Sequence, residues 1–271
     1  MKIYIFADLE GATAVTGGWG EICPSGREFV HAKKMLTRDV NACAKGAYEA
    51  GADDIVVFDW HGMMFSIDPV ELDPRLRLIQ GRAFDATGLF SGLDSSFDAV
   101  MIIGIHAMEG TSDGVMNSTV SSPARFWING KEVGETGIIA VKAGQLGIPV
   151  ILVTGDEAVK REAMDIIPGV YTVAVKKGLS RYSAEIINPE KSWEMITETT
   201  REAVKNYKKV GLYDTGKPLE VRMEYCGDTQ LVDGIARLPG VKRINGYTVS
   251  YTCDLIDDAI FLFSYFSLLR L

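Results

Sequence analysis

The chain sets short, wholly apolar runs between longer stretches of mixed character. The runs are Ile3-Tyr4-Ile5-Phe6-Ala7, Ile55-Val56-Val57-Phe58, Ala99 to Ile105 and Val150 to Val153. Continuous apolar runs of this length, rich in β-branched and aromatic residues, predict strands buried on both faces, as in a parallel sheet. The stretches between them carry a helical pattern. One helix is predicted from about Glu28 to Ala50, stopping at Gly51, and another opens at Gly134-Glu135 and ends near Gly147. Arg77 to Ile79 reads as a short edge strand. Phe126-Trp127-Ile128 running into Asn129-Gly130 reads as a strand entering a tight hairpin turn. Strands alternating with helices predict an α/β fold: a mainly parallel sheet with flanking helices.

The rhythm changes near residue 160. Lys and Glu become dense from Lys160 to Lys209, with helical stretches. Leu219 to Tyr225 and Tyr247 to Thr252 then alternate as half-buried strands do, and a C-terminal helix starts at about Leu255. We therefore expect two units, an α/β domain over 1–160 and a smaller C-terminal α+β domain over 161–271.

With 271 residues and 47% apolar positions, the chain is long enough to build a sizeable core. A net charge of −8 argues against nucleic acid as a partner, because phosphate binding needs a basic face. No apolar run approaches the roughly 18 residues of a membrane span. The N-terminal apolar stretch is short and broken by Asp8, which reads against a signal peptide. Cys23, Cys43, Cys226 and Cys253 are dispersed, with no CxxC pair, and read as reduced thiols of a cytoplasmic protein.

Candidate chemistry gathers where the apolar runs stop. The first run ends at Asp8-Leu9-Glu10, the second at Asp59-Trp60-His61 and the third at Gly104-Ile105-His106, while Glu135 opens a helix. Parallel strands share one C-terminal edge, where open α/β sheets keep their ligands. Carboxylates with imidazoles suit Zn²⁺ or another first-row divalent ion. Asp8, Glu10, His61, His106 and Glu135 are more ligands than one catalytic zinc takes. They suit two ions sharing a carboxylate, with Asp8 as the bridge. Two residues apart on an extended chain, Asp8 and Glu10 would share a face. The third histidine, His31, lies at a polar helix start and reads as exposed.

Other chemistries fit less well. Gly17-Gly18-Trp19-Gly20 lacks dinucleotide-binding spacing, and two acids at the turn would repel a pyrophosphate. There is no Gly-x-Ser-x-Gly elbow, and Ser118, Ser121 and Ser122 have no spare histidine to activate them. The loop Asp113 to Ser122 could nonetheless position a substrate.

Taken together, these segments resemble the D-aminopeptidase family of dinuclear zinc peptidases over essentially the whole chain. The segments are Met1-Lys2-Ile3-Tyr4 through Asp8-Leu9-Glu10-Gly11, Asp59-Trp60-His61-Gly62-Met63, Gly104-Ile105-His106-Ala107, Gly114-Val115-Met116, Ile128-Asn129-Gly130, Val133-Gly134-Glu135-Thr136-Gly137 and Val153-Thr154-Gly155-Asp156. The resemblance implies that Asp8, Glu10, His61, His106 and Glu135 hold two Zn²⁺ per subunit, with Mn²⁺ or Co²⁺ as substitutes. It implies hydrolytic release of N-terminal D-amino acids from short peptides or amino acid amides. It also implies a homodecamer of two stacked pentamers. One position departs from the family pattern. Where the family places a catalytic His, eleven residues beyond His106, this chain has Asn117. Asn can donate a hydrogen bond to an oxyanion but cannot act as acid or base near neutral pH. Proton transfer would then fall to a carboxylate such as Glu10 or Glu135, or to the water chemistry of the metals. The same residues also fit a metal-dependent hydrolase of another amide or ester, or a metal-binding assembly protein of low activity.

Overall fold

The computed structural model describes residues 1–62, 65–81, 88–120, 124–227 and 229–268, the last six by backbone alone. The chain begins with β1 (Lys2–Ala7), the single turn α1 (Trp19–Ile22), α2 (Phe29–Glu49), β2 (Asp54–Asp59), β3 (Arg77–Ile79) and β4 (Ala99–Ile105). A hairpin of β5 (Ala124–Ile128) and β6 (Lys131–Val133) leads into α3 (Glu135–Gln145), β7 (Val150–Asp156) and α4 (Glu157–Ile166). Then come β8 (Tyr171–Ser180), β9 (Ser183–Ile186), α5 (Pro189–Lys205), β10 (Leu219–Tyr225), α6 (Thr229–Ile235), β11 (Lys242–Arg243), β12 (Thr248–Cys253) and α7 (Ile256–Leu268).

Seven strands form one sheet in the order β3-β2-β1-β4-β7-β8-β9, parallel except for the β9 edge. Both faces are covered, as the continuous apolar runs require. In β1, Ile3 and Ile5 share a face with Met101 of β4, which touches Cys43 of α2. Helix α5 packs beside α2 and reaches β7 and β8. On the opposite face Tyr4 and Phe6 meet Phe58, Trp60, Phe90 and Phe97 with ring centroids 5.2 to 6.5 Å apart. Such tilted and edge-on contacts add to the burial of the rings themselves.

The second sheet is antiparallel, ordered β11-β12-β10-β5-β6. Its hairpin turns at Asn129 and Gly130 with φ of +49° and +82°, the pattern a two-residue loop needs. The sheets do not divide the chain at residue 160. Strands β8 and β9 and helix α5 extend the first sheet and its cover, while β5 and β6 belong to the second. The reason is pairing. Val173-Ala174-Val175 in β8 lies beside β7, and the β5–β6 hairpin satisfies its open edge on β10, nearly a hundred residues later. The Lys- and Glu-rich stretch is expected to carry helical stretches, and it contains this strand hairpin between α4 and α5 as well.

Candidate metal centre

The first sheet changes direction between β1 and β4. From β1 the chain moves outward to β2 on one side, and β4 lies on the other, which opens a crevice at the strands' C-terminal ends. Asp8 follows β1 and His106 follows β4, so both stand at this crevice. The strand stops at Ala7, and Leu9 and Glu10 lie in a bend and turn. Asp8 and Glu10 are therefore brought together by a turn and do not alternate on an extended strand. Asp8 donates its N–H to the Ile103 carbonyl at 2.8 Å, and Gly11 donates to that of Gly104 at 2.7 Å. Gly104 makes this contact possible. Its φ is +72°, it sits in an irregularity of the β4–β7 pairing, and a Cβ there would collide with the Asp8 carbonyl.

All five predicted ligands converge. Asp8, Glu10 and His61 form one group, and Asp8, His106 and Glu135 another, each with its ligand atoms within 4.8 Å of one another. Asp8 belongs to both. Its Oδ1 lies 3.4 Å from His61 Nδ1 and its Oδ2 lies 3.5 Å from His106 Nε2. Glu10 Oε2 is 2.9 Å from His61 Nδ1, and Glu135 Oε1 is 3.5 Å from His106 Nε2. His106 Nδ1 lies 3.0 Å from the Ala107 carbonyl, which can only accept. That nitrogen therefore carries a proton, and Nε2 is the one turned to the carboxylates.

The electrostatics are those of a site built for positive charge. Burial pushes Asp8 up to about 7, reinforced by the Glu10 charge and opposed by both imidazoles. Burial would raise Glu10 as well, but the charge and hydrogen bond of His61 outweigh it and hold Glu10 below the ordinary carboxylate range. Glu135 is likewise lowered, with His106 overcoming burial. Burial would lower both histidines, yet the carboxylate charges lift them well above 6.5. Asp8 Oδ2 is buried and accepts no hydrogen bond. Three buried carboxylates with one oxygen unsatisfied call for a cation among them.

Several supports come from residues outside the five. Lys176 of β8 is fully buried and donates to the carbonyls of Glu10, Ala12 and Val15 at 2.6, 3.0 and 2.5 Å. It ties down the loop that carries Glu10. The interruption of Val173-Ala174-Val175 by a lysine was the signal in the sequence. Glu162 of α4 accepts from Met108 N–H at 2.8 Å, just past His106, and packs on Gly134, just before Glu135. The Trp19 indole donates to Glu10 Oε1 at 3.0 Å, and that of Trp60 donates to Glu135 Oε2. Asp59 is not among the five. Its Oδ2 accepts from the N–H groups of Ser66 and Ile67 and staples that loop to β2.

Asn117 is committed to its own loop. Its amide donates to the carbonyls of Thr111 and Gly114 at 2.9 and 2.8 Å. Its oxygen accepts from Gly110 N–H at 3.1 Å and Arg181 at 3.3 Å. Both donors are spent on carbonyls, so the oxyanion role expected of Asn117 has no free N–H behind it. The loop is also pinned by Val115 N–H on Asp156 at 2.7 Å and by the Arg161–Asp113 ion pair. Ser118 is buried nearby, while Ser121, Ser122 and Met63 lie outside the described residues. His31 is exposed on α2, and Cys23, Cys43, Cys226 and Cys253 are all unpaired. No described helix is long and apolar enough to cross a membrane.

Residues 1–265 match the family model for peptidase M55, D-aminopeptidase. A D-aminopeptidase of Bacillus subtilis (strain 168) is 32% identical over 211 residues, covering 78% of this chain and 76% of the relative. The solved structure of the Zn-dependent D-aminopeptidase DppA from Bacillus subtilis, a self-compartmentalizing protease, aligns with a TM-score of 0.93 at 28% identity. That alignment covers 99% of this chain and 97% of the other. With the five converging side chains at the sheet's switch point, these matches establish that the chain belongs to the D-aminopeptidase family.

Proposed function

We propose that this chain is a dinuclear zinc aminopeptidase that releases N-terminal residues, D-residues in particular, from short peptides or amino acid amides. The observation that carries this reading is the pair of ligand groups sharing Asp8. The donor set fits zinc: two imidazoles and three carboxylates, buried, with the Asp8 Oδ2 acceptor unsatisfied. In this reading Asp8, Glu10 and His61 hold one ion, and Asp8, His106 and Glu135 the other. Bound zinc polarises a carbonyl and makes water a nucleophile at neutral pH. The chain's part is to keep the cradle dry and fixed. Lys176 holds the Glu10 loop, the Ala107 carbonyl keeps the His106 Nε2 face bare, and Glu162 joins the segments beside His106 and Glu135. By analogy with its relative, we further propose assembly into a self-compartmentalizing homodecamer of stacked pentamers.

The test is to restore zinc to metal-free protein, count bound ions and assay D-Ala and L-Ala p-nitroanilides and amides. We expect two ions per chain, turnover of the D-substrates, and loss of both ions and activity in Asp8→Ala. Two bound ions with turnover of neither series would overturn the peptidase reading. The engagement of Asn117 favours a second reading, a hydrolase of another amide or ester. Losing an acid/base group costs about 10²–10⁴ in rate, so a faster ester than amide reaction would favour that alternative.

A further inference from the structure

Behind the five side chains stand two tryptophans that the reading above does not use. The Trp19 indole N–H donates to Glu10 Oε1, and the Trp60 indole N–H donates to Glu135 Oε2. In both glutamates the indole takes the oxygen that the histidine does not. Glu10 turns Oε2 to His61, and Glu135 turns Oε1 to His106, where it also accepts from the Val120 N–H at 2.9 Å. The two tryptophans come from unrelated parts of the chain, one in the turn α1 and one just past β2. They nevertheless reach equivalent atoms in the two halves of the cluster.

An indole N–H is a donor only and cannot itself hold a cation. What it can do is fix a carboxylate's rotation, and both rings are held firmly enough for that. Trp60 packs edge-on against Phe6 and Phe58, with centroids 5.2 and 6.2 Å away. Trp19 lies under the Arg181 guanidinium at 5.1 Å, and Arg181 is itself anchored on Glu109 and Asn117. A glutamate with one oxygen tied to a rigid donor has its other oxygen preset before any cation arrives. This lowers the cost of ordering the ligand on binding.

We propose that Trp19 and Trp60 are positioning residues of the two-cation centre, each indole holding one oxygen of a glutamate so that the other oxygen faces one cation. The proposal rests on the dinuclear reading above. It assigns Trp19 to the half-site of Glu10 and His61, and Trp60 to that of Glu135 and His106.

The experiment is a titration of metal-free protein with Zn²⁺, followed by calorimetry, for wild type, Trp19→Phe and Trp60→Phe. Phenylalanine keeps an apolar ring and removes the donor. Wild type should bind two ions. Each variant should weaken one binding step about 10- to 100-fold and leave the other unchanged. Glu10→Gln should share its affected step with Trp19→Phe, and Glu135→Gln with Trp60→Phe. A merely structural role would lower the metal-free unfolding midpoint without separating the two steps. Because Trp60 is part of the core, a second measurement needs no substitution there. The chain has four tryptophans, so protein labelled with 5-fluorotryptophan gives four ¹⁹F signals. Those of Trp19 and Trp60 should shift on zinc addition, while that of Trp127, in the second sheet, should not. Variants that bind both ions as tightly as wild type, or ¹⁹F signals of Trp19 and Trp60 unmoved with two ions bound, would overturn this proposal alone. Wild-type protein that binds no zinc would overturn the dinuclear reading together with it.

Discussion

Asn117 shows how a single side chain changes what a loop is for. Its amide closes hydrogen bonds to Thr111, Gly114 and Gly110 and meets Arg181 at the same time. Removing it leaves buried carbonyls without donors, which costs about 1–3 kcal/mol. Asn117→Ala should therefore lower the unfolding free energy by that order in chemical denaturation. Unchanged stability with lost activity would instead mark a group that touches substrate. Glu162 offers a test through pH. Burial lifts its carboxyl to about 7, against 4.5 for an unburied glutamate. Between those values the fold keeps a proton that the unfolded chain releases. This stabilisation is complete below about 4.5 and is lost as pH rises through 7. Stability of the metal-free protein should thus fall over that window by a few kcal/mol. Glu162→Gln should flatten the slope when the two are compared by denaturation at successive pH values.

At the scale of elements, the crevice depends on how closely the ends of β1 and β4 approach. Gly104→Ala places a Cβ against the Asp8 carbonyl at a left-handed backbone position. It should cost about 1–3 kcal/mol or more and weaken zinc binding, read by melting and calorimetry. Lys176 links β8 to the loop after β1 through three carbonyls. Lys176→Met leaves all three without their donor, and we expect a larger loss than at Gly104, with the zinc site lost before the fold in a urea titration. Lys176 is far from every ligand in sequence, whereas Gly104 stands two residues before His106. The β1, β2, β4 and β7 runs and helices α2 and α3 were legible because apolar periodicity is local. The β8–β9 hairpin was not, because its lysines face both the core and solvent, and only the pairing with β7 makes it a strand.

For the whole molecule, a site of this charge ties stability to cation binding. An ion that binds only the folded state adds RT ln(1 + [L]/Kd), about 2.7 kcal/mol at a hundredfold excess over Kd. Zinc should therefore raise the melting temperature and a chelator should lower it. Neither should move it in Asp8→Ala, apart from the shift that the substitution itself causes. Native mass spectrometry of the zinc-loaded protein should find an assembly of identical chains. A monomer at working concentration would overturn the proposed compartment.

Asp8, Glu10, His61 and His106 could be picked out in the linear chain because parallel topology brings strand ends to one edge and these four follow apolar runs, while Glu135 stood out as the acid that opens a helix. Strand and helix identity followed equally from local periodicity. The division of the other four into two pairs about Asp8 came from three-dimensional packing. So did the capture of Asn117 by its loop, the clamp from Lys176, the indole on each glutamate and the exchange of strands across residue 160. Those depend on which atoms lie within 3 Å or so of each other after segments tens of residues apart have folded together. No local pattern encodes such distances, since hydrogen bonding and close packing act through space while periodicity acts along the chain.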